Sequence, residues 1–295
     1  MTSVRDPLTA TDPAPSPVNT LRYLAWLYSA PQSQRVLQIL LEIESEIRGI
    51  LRPGSEHQVA HLRLEWWRAE SERLLAGTPA HPLSRQLLAE SAAGVKLERS
   101  NESLRPPDLS GLIDTATWDL AAVTFANRDE VTGYCRRWAS AIVAPLLSRE
   151  DSTPAALTVG TTIREIELLC NLDVDASAGR LRLPLDELAA QAIEPEALAK
   201  SPWPAKLVAL LVARHRELRA LLAASVGQLP LGEQPGLRGL LVWAALAHRR
   251  SRRAAHLLPL PMSIGRGALL TETWFAWRVA RRAARGELRL EDESH

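Results

Sequence analysis

Asn171-Leu-Asp173-Val-Asp175-Ala-Ser-Ala-Gly179-Arg180-Leu-Arg182-Leu-Pro184 is the stretch on which the reading of this chain turns. It follows a segment opened by Pro154 whose apolar residues recur at helical spacing, so it reads as the end of an amphipathic helix and the turn beyond it. Positions 171 and 175 are one helical turn apart and share a face; two carboxylates there would offer paired oxygens to a cation. Only Asp175 is an acid at those positions, and Asp173 falls on a different face. Gly179 supplies the tight turn that the following residues demand.

Composition agrees with a helical protein. Apolar residues make up 46% of the 295, glycine is sparse, and leucine and alanine dominate, which favours helix over sheet. The length allows one large domain or two average ones and a substantial core. Lysine is confined to Lys96, Lys200 and Lys206, so positive charge is carried by arginine. The net charge of +1 hides an asymmetry: between Pro235 and Gly286 the only acid is Glu272, against a cluster that includes Arg249, Arg250, Arg252, Arg253, Arg278, Arg281, Arg282 and Arg285. Such a cluster can meet anionic lipid or an acidic partner, or lie as a solvated helix face; nucleic acid is not expected. Cys135 and Cys170 stand far apart, without the spacing of a disulfide framework or a zinc site. No apolar run reaches the length of a membrane span, and the polar, proline-rich residues before Pro17 lack the apolar stretch of a secretory signal. A soluble cytoplasmic protein, membrane-associated if the arginines meet lipid, is the expectation.

Outward from the opening stretch the pattern is helical almost throughout. Val36, Leu40, Ile43, Ile47 and Ile50 predict a helix over 33–51, ended by Arg52-Pro-Gly54. Further helices are expected over 56–76, 82–93, 109–125, 130–147, 154–171, 204–226, 235–256 and 266–286, with 185–204 a connector of one or two short turns. No repeat, glycine-rich phosphate loop or alternating strand pattern is present. The chain divides into a leader over 1–18, one helical domain over 19–286 and an acidic tail over 287–295.

Several stretches resemble, in the same order, strings of the squalene/phytoene synthase family. Asp175 and the Gly179-Arg180-Leu181-x-Leu183-Pro184 turn are similar to its second aspartate motif, normally Asp-x-x-x-Asp before Gly-Arg-x-Tyr-Leu-Pro, with Asn171 standing at the first aspartate. Arg22-Tyr-Leu24 with Leu27, then Ala30-Pro31 and Arg35, looks like the opening helix pair. Leu62-Arg-Leu64-Glu-Trp66-Trp67-Arg68 resembles the family's Arg-Leu-x-Trp-Trp-Arg string, and Gly77-x-Pro79 and His81-Pro82 follow as they do there. Leu112-Ile113-Asp114, Asp119-Leu120, Tyr134-Cys135 and Ala139 match the helix pair before the second motif. The resemblance spans about residues 20–225 and implies an all-α, single-domain isoprenoid-synthase-like helical bundle with its active site in a central apolar cavity.

That family joins two prenyl diphosphates head to head. The departing diphosphate needs Mg²⁺, and Mg²⁺ needs carboxylate oxygens from two facing aspartate motifs. Counted from Arg35, the first motif's positions fall on Arg48, Gly49 and Arg52, where no carboxylate remains; Asp175 alone is left as a metal ligand in the second. Glu46 resembles a glutamate of the divergent branch that includes the mitochondrial complex I assembly factors, and a register slip of one turn would bring Glu42, Glu44 or Glu46 into play. Asn171 and Asp175 are thus read as vestigial catalytic residues, with Mg²⁺ implied only if the chain is active. Arg48, Arg52 and Arg180 are candidates for holding an anionic head group by guanidinium alone; equally, Arg48 and Arg52 fit a solvated helix end, and Arg180 with Asp175 fits a helix-end ion pair. His57, His61 and Glu65 have helical ligand spacing without a further partner. Trp66 and Trp67, being adjacent, cannot share one face.

Three readings follow. A catalytically degenerate family member would act as a binding or assembly protein with a protein partner. A prenyl-diphosphate transferase would work through an altered metal site on an isoprenoid or lipid ligand. A membrane-surface scaffold would dock through Arg249, Arg250, Arg252 and Arg253.

Overall fold

Prolines and glycines punctuate the chain into helices. The computed structural model describes residues 21–52, 56–98, 106–147, 154–261 and 269–290, and every α-helix or 3-10 turn among them follows this punctuation closely. The first helix, α1, is Leu21–Leu27. Pro31, Pro82 and Pro154 open α2 (Pro31–Gly49), α4 (Pro82–Glu98) and α7 (Pro154–Cys170), where a missing N–H leaves no bond unmade. The others are α3 (His57–Leu75), α5 (Ser110–Leu120), α6 (Arg128–Ile142), α8 (Leu172–Ser177), α9 (Leu185–Ala190), α10 (Ala205–Gly227), α11 (Arg238–Leu257) and α12 (Leu269–Ala283). Asn127 caps α6, its side chain accepting from the Glu130 N–H, while Glu130 reaches back to the Ala126 N–H. The described residues form no strand.

Two helices end well short of their sequence pattern, and the helix expected over 266–286, whose residues 266–268 lie outside the described residues, ends at Ala283. α5, expected to reach Phe125, stops at Leu120, and Ala122 turns the chain with a φ of 47°. α6, expected to reach 147, stops at Ile142 because Pro145 cannot continue the ladder; a 3-10 turn over Ala144–Leu146 takes its place. α4 runs past its expected end at Ala93. The connector 185–204 holds α9 and a 3-10 turn over Pro195–Ala199. The leader expected over 1–18 and the tail beyond Leu290 lie outside the described residues, as do Pro53, Gly54 and Arg105. Glu287–Leu290 runs back along the bundle: Leu288 is buried and exchanges two hydrogen bonds with the Gln234 amide.

One apolar cluster threads from α1 through α12. At its centre lies α7, packed against α6, α10 and α11. This corrects the amphipathic reading of that helix, since every residue from Val159 to Cys170 is buried. Its polar residues Arg164, Glu165 and Glu167 point into protein instead of water. Gly239 of α11 lets α1 approach closely, because a Cβ there would stand 2.0 Å from the Ser29 hydroxyl.

Candidate functional site

Arg164, Glu167 and Asn171 follow at steps of three and four, so they line one face of α7 and its end. That face meets α1, α2, α6 and α11 in the middle of the bundle. Arg22 of α1 reaches between α2 and α7, paired with Glu44 on one side and with Glu167 at 2.9 Å on the other. Arg164 also holds Glu167, at 3.0 Å. The second oxygen of Glu44 accepts from the Trp138 indole N–H at 3.0 Å and faces Arg48 at 3.7 Å. Trp138 and Trp243 meet edge to face, 5.7 Å apart. Both arginines lie against them, Arg22 5.5 Å from Trp138 and 5.8 Å from Trp243, and Arg164 5.3 Å from Trp138.

Burial opposes a charge on Glu167, yet Arg22 and Arg164 beside it outweigh that and hold its carboxyl at about 2. Burial likewise opposes ionisation of Glu44, and Arg22, Arg48 and Arg164 overcome it, keeping Glu44 below the usual carboxylate range. Both carboxylates are therefore charged and paired with guanidinium. The middle of the bundle holds an ion network set against two indoles.

The two motif positions sit just beyond it. The Asn171 amide donates to the Glu167 carbonyl at 2.7 Å, and its oxygen accepts from Arg250 at 3.3 Å. Asp175 receives Arg180 on one oxygen at 2.9 Å and Arg182 on the other at 3.2 Å. Arg182 continues to Asp119 at 2.8 Å, and the Tyr134 hydroxyl donates to Asp119 at 3.1 Å. Gly179, at a φ of 77°, turns the chain so that both arginines fold back onto Asp175. This cluster fastens the 175–184 loop to α5 and α6.

Mg²⁺ needs several free oxygens in octahedral array. The donors present do not fit it: Asp175 is held by two guanidinium groups, position 171 is an amide already bonded, and Glu44 and Glu167 are locked on arginine. Among the described residues, no three His, Cys, Asp or Glu side chains converge as a metal site, and His57 and His61 are exposed on α3.

Arg48 and Arg52 are separated. The helix ends at Gly49, so Arg52 lies past it and lines an outer groove of about 630 Å³ with Glu42, Glu46, Arg63, Trp66 and Trp67, while Arg48 turns to Glu44 at the network's rim. Trp67 is buried and Trp66 exposed, as their adjacency requires. Of the four arginines at 249–253, three are exposed and Arg250 faces inward onto Asn171. Cys135 and Cys170 are free and buried, and burial pushes the Cys170 thiol up to about 12. Arg22, Arg164, Glu167 and Arg182 were not legible as site residues; the three- and four-residue steps of Arg164, Glu167 and Asn171 are the only local signal.

The squalene/phytoene synthase family matches residues 18–257, and the chain belongs to that family. Among curated proteins it is 27% identical over 135 residues to a phytoene synthase of Rhodobacter capsulatus, a match covering 43% of this chain and 40% of that protein's length. The fold is similar to that of a dehydrosqualene synthase solved in complex with ligand, with a TM-score of 0.66 at 13% identity, covering 88% of this chain and 91% of that one. A squalene synthase, HpnC of Alicyclobacillus acidocaldarius, superposes with a TM-score of 0.57 at 14% identity, covering 80% and 89%. The architecture is the all-α isoprenoid-synthase-like bundle, and no helix among the described residues is long and apolar enough to cross a membrane.

Proposed function

We propose that this chain is a catalytically degenerate member of its family that works as a binding or assembly protein. The observation that carries the reading is the ion network at the middle of the bundle, where Arg22 bridges Glu44 and Glu167, Arg164 holds Glu167 as well, and Trp138 and Trp243 lie alongside. A prenyl diphosphate with its metal would have to break these pairs, and freeing one buried carboxylate from its partner costs about 3–5 kcal/mol. Asn171 and the doubly paired Asp175 support the same reading, as does Glu46 for a place in the branch that includes the complex I assembly factors. The bundle then serves as a rigid frame for a protein partner. Two unpaired cysteines fit a reducing, cytoplasmic setting.

The identity to a phytoene synthase favours a second reading, a prenyl-diphosphate transferase with an altered site. Turnover of labelled farnesyl and geranylgeranyl diphosphate, with Mg²⁺ and reductant, separates the two. The degenerate reading predicts no condensed product from the parent or from Asp175→Ala. Product from the parent that disappears in Asp175→Ala would establish the transferase.

A further inference from the structure

The end of the molecule beyond the family match carries a surface of different chemistry. α12 packs on α11 through a face of small side chains, Ala276, Val279, Ala280 and Ala283, all buried. Turned at the helical angle of about 100° per residue, Leu270, Trp274, Trp277, Arg278 and Arg281 fall within one arc of about 100° on the opposite side. Leu270 is 85% exposed, Trp274 57% and Trp277 45%. Arg278 lies 4.7 Å from the Trp274 ring and Arg281 4.9 Å from the Trp277 ring. The one acid of the helix, Glu272, is on another side. Next to this stripe, between α11 and α12, a groove of about 600 Å³ is lined by Arg249, Arg253, Arg282 and Arg289 with Phe275 and Leu290, and no acid among the described residues lines it.

We infer that the outer stripe of α12 docks this protein on an anionic lipid surface. An indole is at home between water and hydrocarbon, because its ring is apolar and its N–H seeks a polar partner. Two exposed indoles each covered by a guanidinium place charge at the depth of lipid phosphates and ring at the depth of the upper acyl chains. The unbalanced positive charge of the stripe and the groove behind it selects an anionic leaflet over a neutral one. A protein partner would need a surface both acidic and apolar across the same arc, whereas an anionic bilayer presents that combination everywhere. Arg250, turned inward, takes no part; Arg249 and Arg253 add charge from the neighbouring helix.

Co-sedimentation of the full chain with phosphatidylcholine vesicles, with and without phosphatidylglycerol, tests this. Binding is expected only to the anionic vesicles, weakening as salt is raised. Arg278→Gln with Arg281→Gln is expected to bind about 30-fold more weakly, at roughly fivefold per charge. Trp274→Ala with Trp277→Ala is expected to bind about tenfold more weakly or worse at low salt. Melting by circular dichroism should be unchanged in both, and brominated lipid should quench the parent's fluorescence more than that of the tryptophan variant. Absence of binding to anionic vesicles, equal binding to neutral ones, or unchanged binding by the tryptophan variant would overturn the assignment. A dimer that the tryptophan variant splits, without vesicle binding, would give the stripe to a second copy and also overturn it.

Discussion

Arginine and tryptophan meet twice in this molecule, with opposite consequences. In the middle of the bundle Arg22 and Arg164 lie on Trp138 and Trp243, and each guanidinium also holds a buried carboxylate. On α12, Arg278 and Arg281 lie on Trp274 and Trp277 with no acid on their side of the helix. The inner pairs are neutralised and mostly buried, so they brace the fold from within. The outer pairs keep their charge and their exposed rings, so they are left to meet something else. What distinguishes a structural arginine from a docking one here is a buried carboxylate beside it, from another helix for Arg22 and from its own for Arg164.

The comparison breaks most severely if Arg22 is removed. Arg22→Ala leaves Glu44 and Glu167 buried with one partner each lost, and should cost about 3–5 kcal/mol in urea unfolding. Arg22→Lys should recover only part, since one ammonium cannot serve both carboxylates as a planar fork does.

Acid should loosen the inner network. Glu167 titrates near 2 in the folded protein, well below its unfolded value. A depressed carboxyl contributes stability that is fully present above the unfolded value near 4.5 and is lost as pH falls through about 2. The contribution is on the order of 3 kcal/mol, and Glu167→Gln should flatten that part of the stability–pH curve. His215 acts in a higher window. Burial holds it down at about 4, so it folds neutral; stability is lost as pH falls from the usual histidine value through about 4.

Asp175→Ala should cost less, about 1–3 kcal/mol, because Arg182 keeps Asp119 while Arg180 turns to water. Proteolysis within 175–184 should quicken before the bundle unfolds. Smallest of all, Trp274→Ala with Trp277→Ala should change stability by no more than about 0.5 kcal/mol while lipid binding falls, because those rings support no core.

The helices were legible because each is bracketed by residues with a fixed backbone meaning, such as Pro31, Pro82, Pro154 and Gly179. The surroundings of α7 were not. Arg164, Glu165 and Glu167 give it the pattern of a half-solvated helix, and nothing near them in sequence announces Arg22, which pairs with Glu167 across 145 positions. Arg48 and Arg52, four apart, looked like neighbours on one face; the helix ends between them, and they part. Arg182 went unread because its role depends on Asp119 of another helix. The outer arginines were visible as a charge imbalance, but only the packing of α12 shows which of them share a side with the exposed indoles.

Thermal melting with Mg²⁺ and a non-hydrolysable farnesyl thiodiphosphate asks most directly whether the middle of the bundle is closed. A ligand that binds the folded state raises the melting temperature by mass action. The ion network predicts the same melting temperature with and without the pair, for the parent and for Asp175→Ala alike. A rise of several degrees that requires Mg²⁺ and disappears in Asp175→Ala would show an open metal–diphosphate site and contradict the account.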